Sequence, residues 1–126
     1  MSFYQHKTAF ITGGSTGIGL AIAKSLAAQG SHVVIFARTV SKLENAKSEI
    51  DASCLSMTKQ KVHYYSVDIS DNIDVKTIFE KAVIEMGTPD ILINCVGIAQ
   101  PDYFENITFE IFDKTIKTNL YSTWNS

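Results

Sequence analysis

Hydrophobic residues along this chain alternate between two arrangements: short continuous runs and longer stretches with apolar positions three or four apart. Thr8-Ala-Phe-Ile-Thr12 is a short run and reads as a strand. Ile18, Ala21, Ile22 and Leu26 follow at helical spacing, predicting a helix over 17–29 closed by Gly30 just beyond its end. His32-Val-Val-Ile-Phe36 is a second run, as in a strand covered on both faces. Ser41-Lys-Leu-Glu44 has the capping-box pattern and predicts a helix opening there and running to about Ile50. From Val62 to Asp68 the residues alternate around Tyr64 and Ser66, a third strand. Val75, Ile78, Phe79, Ala82, Val83 and Met86 mark one face of a helix, with Gly87 and Pro89 ending it. Asp90-Ile-Leu-Ile-Asn-Cys-Val96 predicts a fourth, buried strand, apolar on both faces, and Phe109, Phe112, Ile116 and Leu120 a last helix.

Strands alternating with helices imply a parallel sheet with right-handed crossovers. The expected fold is α/β: a Rossmann-type doubly wound sheet in the order 3-2-1-4, one domain over residues 1–126, truncated after the fourth strand and its helix. An unpaired outer edge on the fourth strand would invite association.

Composition narrows the partners. At 45% hydrophobic and 19% charged residues the chain is globular, and a net charge of -2 argues against a nucleic-acid surface. No apolar stretch approaches the ~18 residues that cross a bilayer. The N-terminus has no apolar signal-peptide core, so a cytoplasmic location is expected. Cys54 and Cys95 form neither a disulfide framework nor a zinc spacing, and Cys95 reads as packing. His6, His32 and His63 are scattered, so no metal is expected.

The chemistry lies in the turn after the first strand. Gly13, Gly17 and Gly19 form G-x-x-x-G-x-G between strand and helix. Such a turn lets the backbone approach a diphosphate and packs the helix tightly on the strand. The helix N-terminus offers N–H groups and partial positive charge, Ser15 and Thr16 can add hydroxyl donors, and Ile18 is expected at the same cofactor-binding turn. The end of the second strand discriminates cofactors: an acid there accepts from the ribose 2′-hydroxyl of NAD, whereas a nearby arginine suits the 2′-phosphate of NADP. Phe36-Ala-Arg-Thr39 has no carboxylate and carries Arg38, with Lys42 four residues on, so NADP(H) is expected. Asp68, ending the third strand, suits the adenine amino group, with the backbone of Ile69 beside it; the alternative is a helix cap. Asn94, in an otherwise apolar strand, must find partners and is expected to tie strands together beside the cofactor. Gly97 would let the backbone approach a ribose. Asn119, on the last helix, is ambiguous from periodicity alone.

Together these residues resemble the short-chain dehydrogenase/reductase family, from Thr8 to about Thr123. Thr12-Gly13-x-x-x-Gly17-Ile18-Gly19 looks like its cofactor motif, Asp68 its adenine contact and Asn94-x-x-Gly97 its central-strand motif. Asn119 looks like its active-site asparagine, which the resemblance implies anchors a water in a proton relay. Ile35-Phe-Ala-Arg38, Lys42-Leu-x-x-Ala-Lys-x-Glu-Ile50 and Ser66-Val-Asp-Ile-Ser70 are most similar to the 3-ketodihydrosphingosine reductases within it. That resemblance implies NADPH-dependent reduction of a ketone on a long-chain lipid, and homo-oligomers as in its relatives. Cys95, Val96 and Ser122 depart from the wider family, where asparagine, alanine and glycine are usual. The family's serine and Tyr-x-x-x-Lys would lie beyond Ser126, so this chain alone is expected to bind NADP(H) without turnover. Another ketone or 3-oxoacyl reductase of the family, or a non-catalytic NADP-binding module, stays open.

Overall fold

The computed structural model describes residues 3–55, 59–96 and 107–116. Among these residues four strands, β1 (Thr8–Thr12), β2 (His32–Ala37), β3 (Val62–Ser66) and β4 (Ile91–Asn94), form one sheet in the order β3-β2-β1-β4. Every pairing is parallel, with Thr12 opposite Phe36 on one side and Asn94 on the other. Four helices among the described residues follow the strands in turn: α1 (Gly17–Ala28), α2 (Val40–Ser53), α3 (Asn72–Met86) and α4 (Phe109–Ile116). The 3-2-1-4 order and the α/β class therefore stand as expected.

Because successive strand residues point to opposite faces, each strand supplies two cores. Ala9, Ile11, Val33 and Ile35 pack against Ala23, Leu26 and Ala27 of α1 and Leu43, Ala46 and Ile50 of α2. Phe10, Val34, Phe36 and Tyr65 face Val75 and Ala82 of α3. On that side the Phe36 ring lies 4.5 Å from that of Phe79 and stacks on Tyr65 at 5.7 Å. The Tyr65 hydroxyl donates to Glu85 Oε2 at 2.9 Å, fastening β3 to α3.

Burial, with the hydrogen bond to Glu85 and its charge, pushes the Tyr65 phenol up to about 12. The folded state therefore keeps a proton that the unfolded chain releases near pH 10. Stability should fall as pH rises from about 10 towards 12, and Tyr65→Phe should remove that slope. Denaturant melts at stepped alkaline pH check it; an unchanged slope in the variant contradicts the assignment.

Several boundaries differ from the sequence expectation. Helix α2 starts at Val40 with Thr39 as its N-cap residue, and no side chain caps it. The Leu43 amide donates to the Thr39 carbonyl, so Ser41 lies inside the first turn. Glu44 does not reach back to form a capping box; its carboxylate accepts from the Tyr64 hydroxyl at 3.4 Å. Strand β3 ends at Ser66, because Asp68 turns the chain: its Oδ1 accepts from the Ser70 amide (3.0 Å) and hydroxyl (2.6 Å). The cap of α3 is Asp71, which accepts from the amides of Ile73 and Asp74. Strand β4 is shorter than expected and is not buried on both faces. Ile91 and Ile93 join the core beside α1, but Leu92 is 44% exposed. Among the described residues β4 pairs with β1 alone, and the α3 cluster does not extend over Leu92.

Candidate functional site

In a parallel sheet all strands end on the same side, so the loops after β1, β2, β3 and β4 converge there. They enclose a cleft of about 370 Å³. Its floor is the turn from β1 into α1. The Gly13 amide donates to the Phe36 carbonyl at 2.8 Å, which draws the turn across the end of β2. Helix α1 then returns so closely that a Cβ on Gly19 would collide with the Gly13 carbonyl oxygen. Gly17, at φ 58, starts the helix with open space where a side chain would stand. Its neighbour Thr16 is extended and gives no side-chain cap, and the first turn has no acid. The leading N–H groups of α1 have no partner within the helix, so they carry a partial positive charge into the cleft.

The walls come from the ends of β2 and β3. Arg38 is exposed on the bend after β2. The bend is pinned to β3 through its main chain: Ser66 Oγ donates to the Arg38 carbonyl (2.9 Å), and the Val67 amide to the Ala37 carbonyl (2.8 Å). Asp68 faces the same cleft. The Ser70 hydroxyl bond lowers its carboxyl below the ordinary carboxylate range against some opposing desolvation, with the Ser70 amide and Arg38 charge assisting. It is ionised at neutral pH. Ile69 is buried behind it in the α3 core.

Of the residues singled out from sequence, the cleft brings together Gly13, Thr16, Gly17, Ile18, Gly19, Arg38, Asp68 and Ile69. Ser15 is half-buried in the turn and Lys42 exposed in the first turn of α2; neither lines the cleft. Asn94 also stands off it. Its amide oxygen accepts from the Thr12 hydroxyl at 3.3 Å, tying β4 to β1 at the strand ends. Gly97 and Asn119 lie outside the described residues. Sequence reasoning missed Phe36, Ala37, Val67 and Cys95 as lining residues. The signal was available: each sits at or just past the C-terminal end of a strand, where such a fold gathers its ligands. Among the described residues no group of His, Cys, Asp and Glu is arranged to hold a metal ion, and no helix is long and apolar enough to cross a membrane.

The sequence profile of the short chain dehydrogenase family matches residues 7–126. A 3-ketodihydrosphingosine reductase of Aspergillus fumigatus is 38% identical over 103 residues, covering 79% of this chain and 28% of that protein. The 3-ketodihydrosphingosine reductase of Bos taurus is 36% identical over 110 residues, covering 86% of this chain and 33% of its own length. The chain thus spans a third or less of these two relatives. Among solved structures, the L-sorbose reductase of Gluconobacter frateurii, complexed with NADPH and L-sorbose, superposes with a TM-score of 0.85. It is 28% identical, covering 96% of this chain and 44% of its own. With its glycine turn, its parallel sheet and a profile match over nearly its whole length, this chain belongs to the short-chain dehydrogenase family.

Proposed function

We propose that this chain is the NADPH-binding portion of a reductase acting on a ketone, with a long-chain 3-ketone such as 3-ketodihydrosphingosine as the substrate class. One observation carries the cofactor choice: the β2 end of the cleft presents Arg38 and no carboxylate. Among the described residues the one acid lining it, Asp68, belongs to the end of β3. A guanidinium grips a phosphate through two charge-assisted hydrogen bonds, whereas a bare ribose gives it little to hold.

The residues present fit such a dinucleotide. The space left at Gly17 and the close seating of Gly19 open a cradle where a side chain would otherwise stand, and the α1 amides would take the diphosphate. Arg38 would take the 2′-phosphate, with exposed Lys42 as a nearby second cation. Asp68, held ionised, would accept from the adenine amino group, with Ile69 behind it. Thr12 and Asn94 would keep β1 and β4 in register at the nicotinamide end, and the family resemblance would add Gly97 and Asn119 to the site. A reduced nicotinamide, when bound, supplies a hydride to a carbonyl carbon. The substrate class is supported by similarity to the 3-ketodihydrosphingosine reductases of A. fumigatus and B. taurus.

Titration of the purified protein into NADPH and NADH, read by nicotinamide fluorescence, tests the reading. NADPH should bind at least tenfold more tightly, and equal affinities would remove the assignment.

A further inference from the structure

We propose that Ser66 is a positioning residue for cofactor selectivity: its hydroxyl fixes the main chain of Arg38 so that the guanidinium is aimed at the ribose phosphate. This rests on the NADPH reading above and deepens it. Arg38 lines the cleft and Ser66 does not, so Ser66 acts through Arg38.

Ser66 closes β3 opposite Ala37, the last residue of β2. At that point the two strands part. β2 leads through Arg38 and Thr39 into α2, and β3 leads into the turn made by Asp68. Two hydrogen bonds hold Arg38 at this fork. The Val67 amide donates to the Ala37 carbonyl at 2.8 Å, and Ser66 Oγ donates to the Arg38 carbonyl at 2.9 Å. A peptide unit is planar, so each bond orients a whole plane. One plane lies before the Arg38 Cα and the other after it. Together they set both backbone dihedrals of Arg38, and with them the direction in which its Cβ leaves the chain. The first bond is main chain to main chain, and any residue but proline at position 67 can make it. The second needs a short side-chain donor at position 66.

That direction matters because Arg38 is long and exposed, so solvent does little to set the path of its side chain. A binding group that must be ordered as the ligand arrives loses affinity to the entropy of ordering, and one already aimed keeps it. The charge of Arg38 is felt at Asp68, which lines the same cleft. Ser66 is itself exposed, so removing its hydroxyl leaves no buried cavity, and the Arg38 carbonyl can turn to water. What is lost is aim and not fold. Asp68 keeps its own turn through Ser70, and the glycine turn keeps its bond from the Gly13 amide to Phe36. The parts of the site that NADH shares with NADPH are therefore untouched.

Nucleotide titration of Ser66→Ala, read by nicotinamide fluorescence on the purified protein, tests this. The NADPH dissociation constant should rise roughly 3- to 5-fold, the size expected when one hydrogen bond that preorganises a binding group is lost. The NADH constant should stay within about twofold, since a bare ribose makes little use of the guanidinium fork. Ser66→Thr keeps a hydroxyl at the same place and should keep NADPH binding. In an Arg38→Ala background Ser66→Ala should change neither constant, because the group being aimed is gone. An unchanged NADPH constant overturns the inference. So does an effect that persists without Arg38, that falls equally on NADH, or that threonine does not repair. If the unaltered protein selects NADPH and depends on Arg38 while Ser66→Ala does nothing, the inference alone fails. If the unaltered protein binds both nucleotides equally, the NADPH reading fails and takes the inference with it.

Discussion

Arg38→Asp should weaken NADPH binding roughly 100-fold while leaving NADH within a few-fold of its original affinity. The magnitude has two parts. A charge-assisted hydrogen-bonded pair contributes about 1.5–3 kcal/mol, and each 1.4 kcal/mol is a factor of ten. The new carboxylate adds repulsion of about 1 kcal/mol against a phosphate a few ångströms away. For NADH the sign of the second part reverses, since an acid there can accept from a ribose hydroxyl. The fold should not notice the change, because Arg38 is exposed and the bend is held by the Ser66 hydroxyl and the Val67 amide. Fluorescence titration against both nucleotides, paired with a thermal melt, is the measurement. Parallel weakening for NADPH and NADH would mean that Arg38 serves the cleft's shape and not its selectivity.

Gly19→Ala should cost stability and binding together. A Cβ at that position would run into the Gly13 carbonyl oxygen and crowd the Gly13 carbon at 2.9 Å and the Gly14 Cα at 3.1 Å. All of these atoms are backbone, so no side chain can swing away. Relief requires α1 to lift off the turn, opening the core that Ala23, Leu26 and Ala27 make with β1 and β2. Overpacking of this kind costs about 1–3 kcal/mol, and the displaced helix takes its amides away from the cleft. Gly17→Ala is the informative contrast. It meets no atom within 4 Å, so its cost is the φ of 58 alone, on the order of 1 kcal/mol. Urea denaturation of the two variants should rank Gly19→Ala as the more damaging; the opposite order would mean that backbone conformation outweighs the close approach.

The strand and helix order was legible because each type leaves its own period in the sequence. Buried parallel strands such as Val33–Phe36 are continuous apolar runs, and α3 repeats its apolar face every three or four residues. The glycine turn was legible because its spacing answers a steric need. What escaped was tertiary. Glu44 looked like half of a capping box, but its carboxylate meets Tyr64 across the α2–β3 contact, and local sequence carries no trace of that partner. The run around Leu92 looked covered on both faces, yet a run records its own apolarity and not the reach of its neighbours. Ser15 and Lys42 are close in sequence to cleft residues and still stand outside the cleft, since one or two positions on a turn or helix change the direction of a side chain. A second cleft, lined in part by Arg38 and Asp113, was invisible for the same reason, since only folding brings the two near each other.

The attachment of the β2–α2 bend through Ser66 has an evolutionary consequence. Anchored by its carbonyl, position 38 can exchange its side chain while the scaffold beneath it stays intact. On the cofactor reading proposed above, a lineage built on this framework would need to change only the residue at position 38 to alter its nucleotide preference, without mutations that repair the fold.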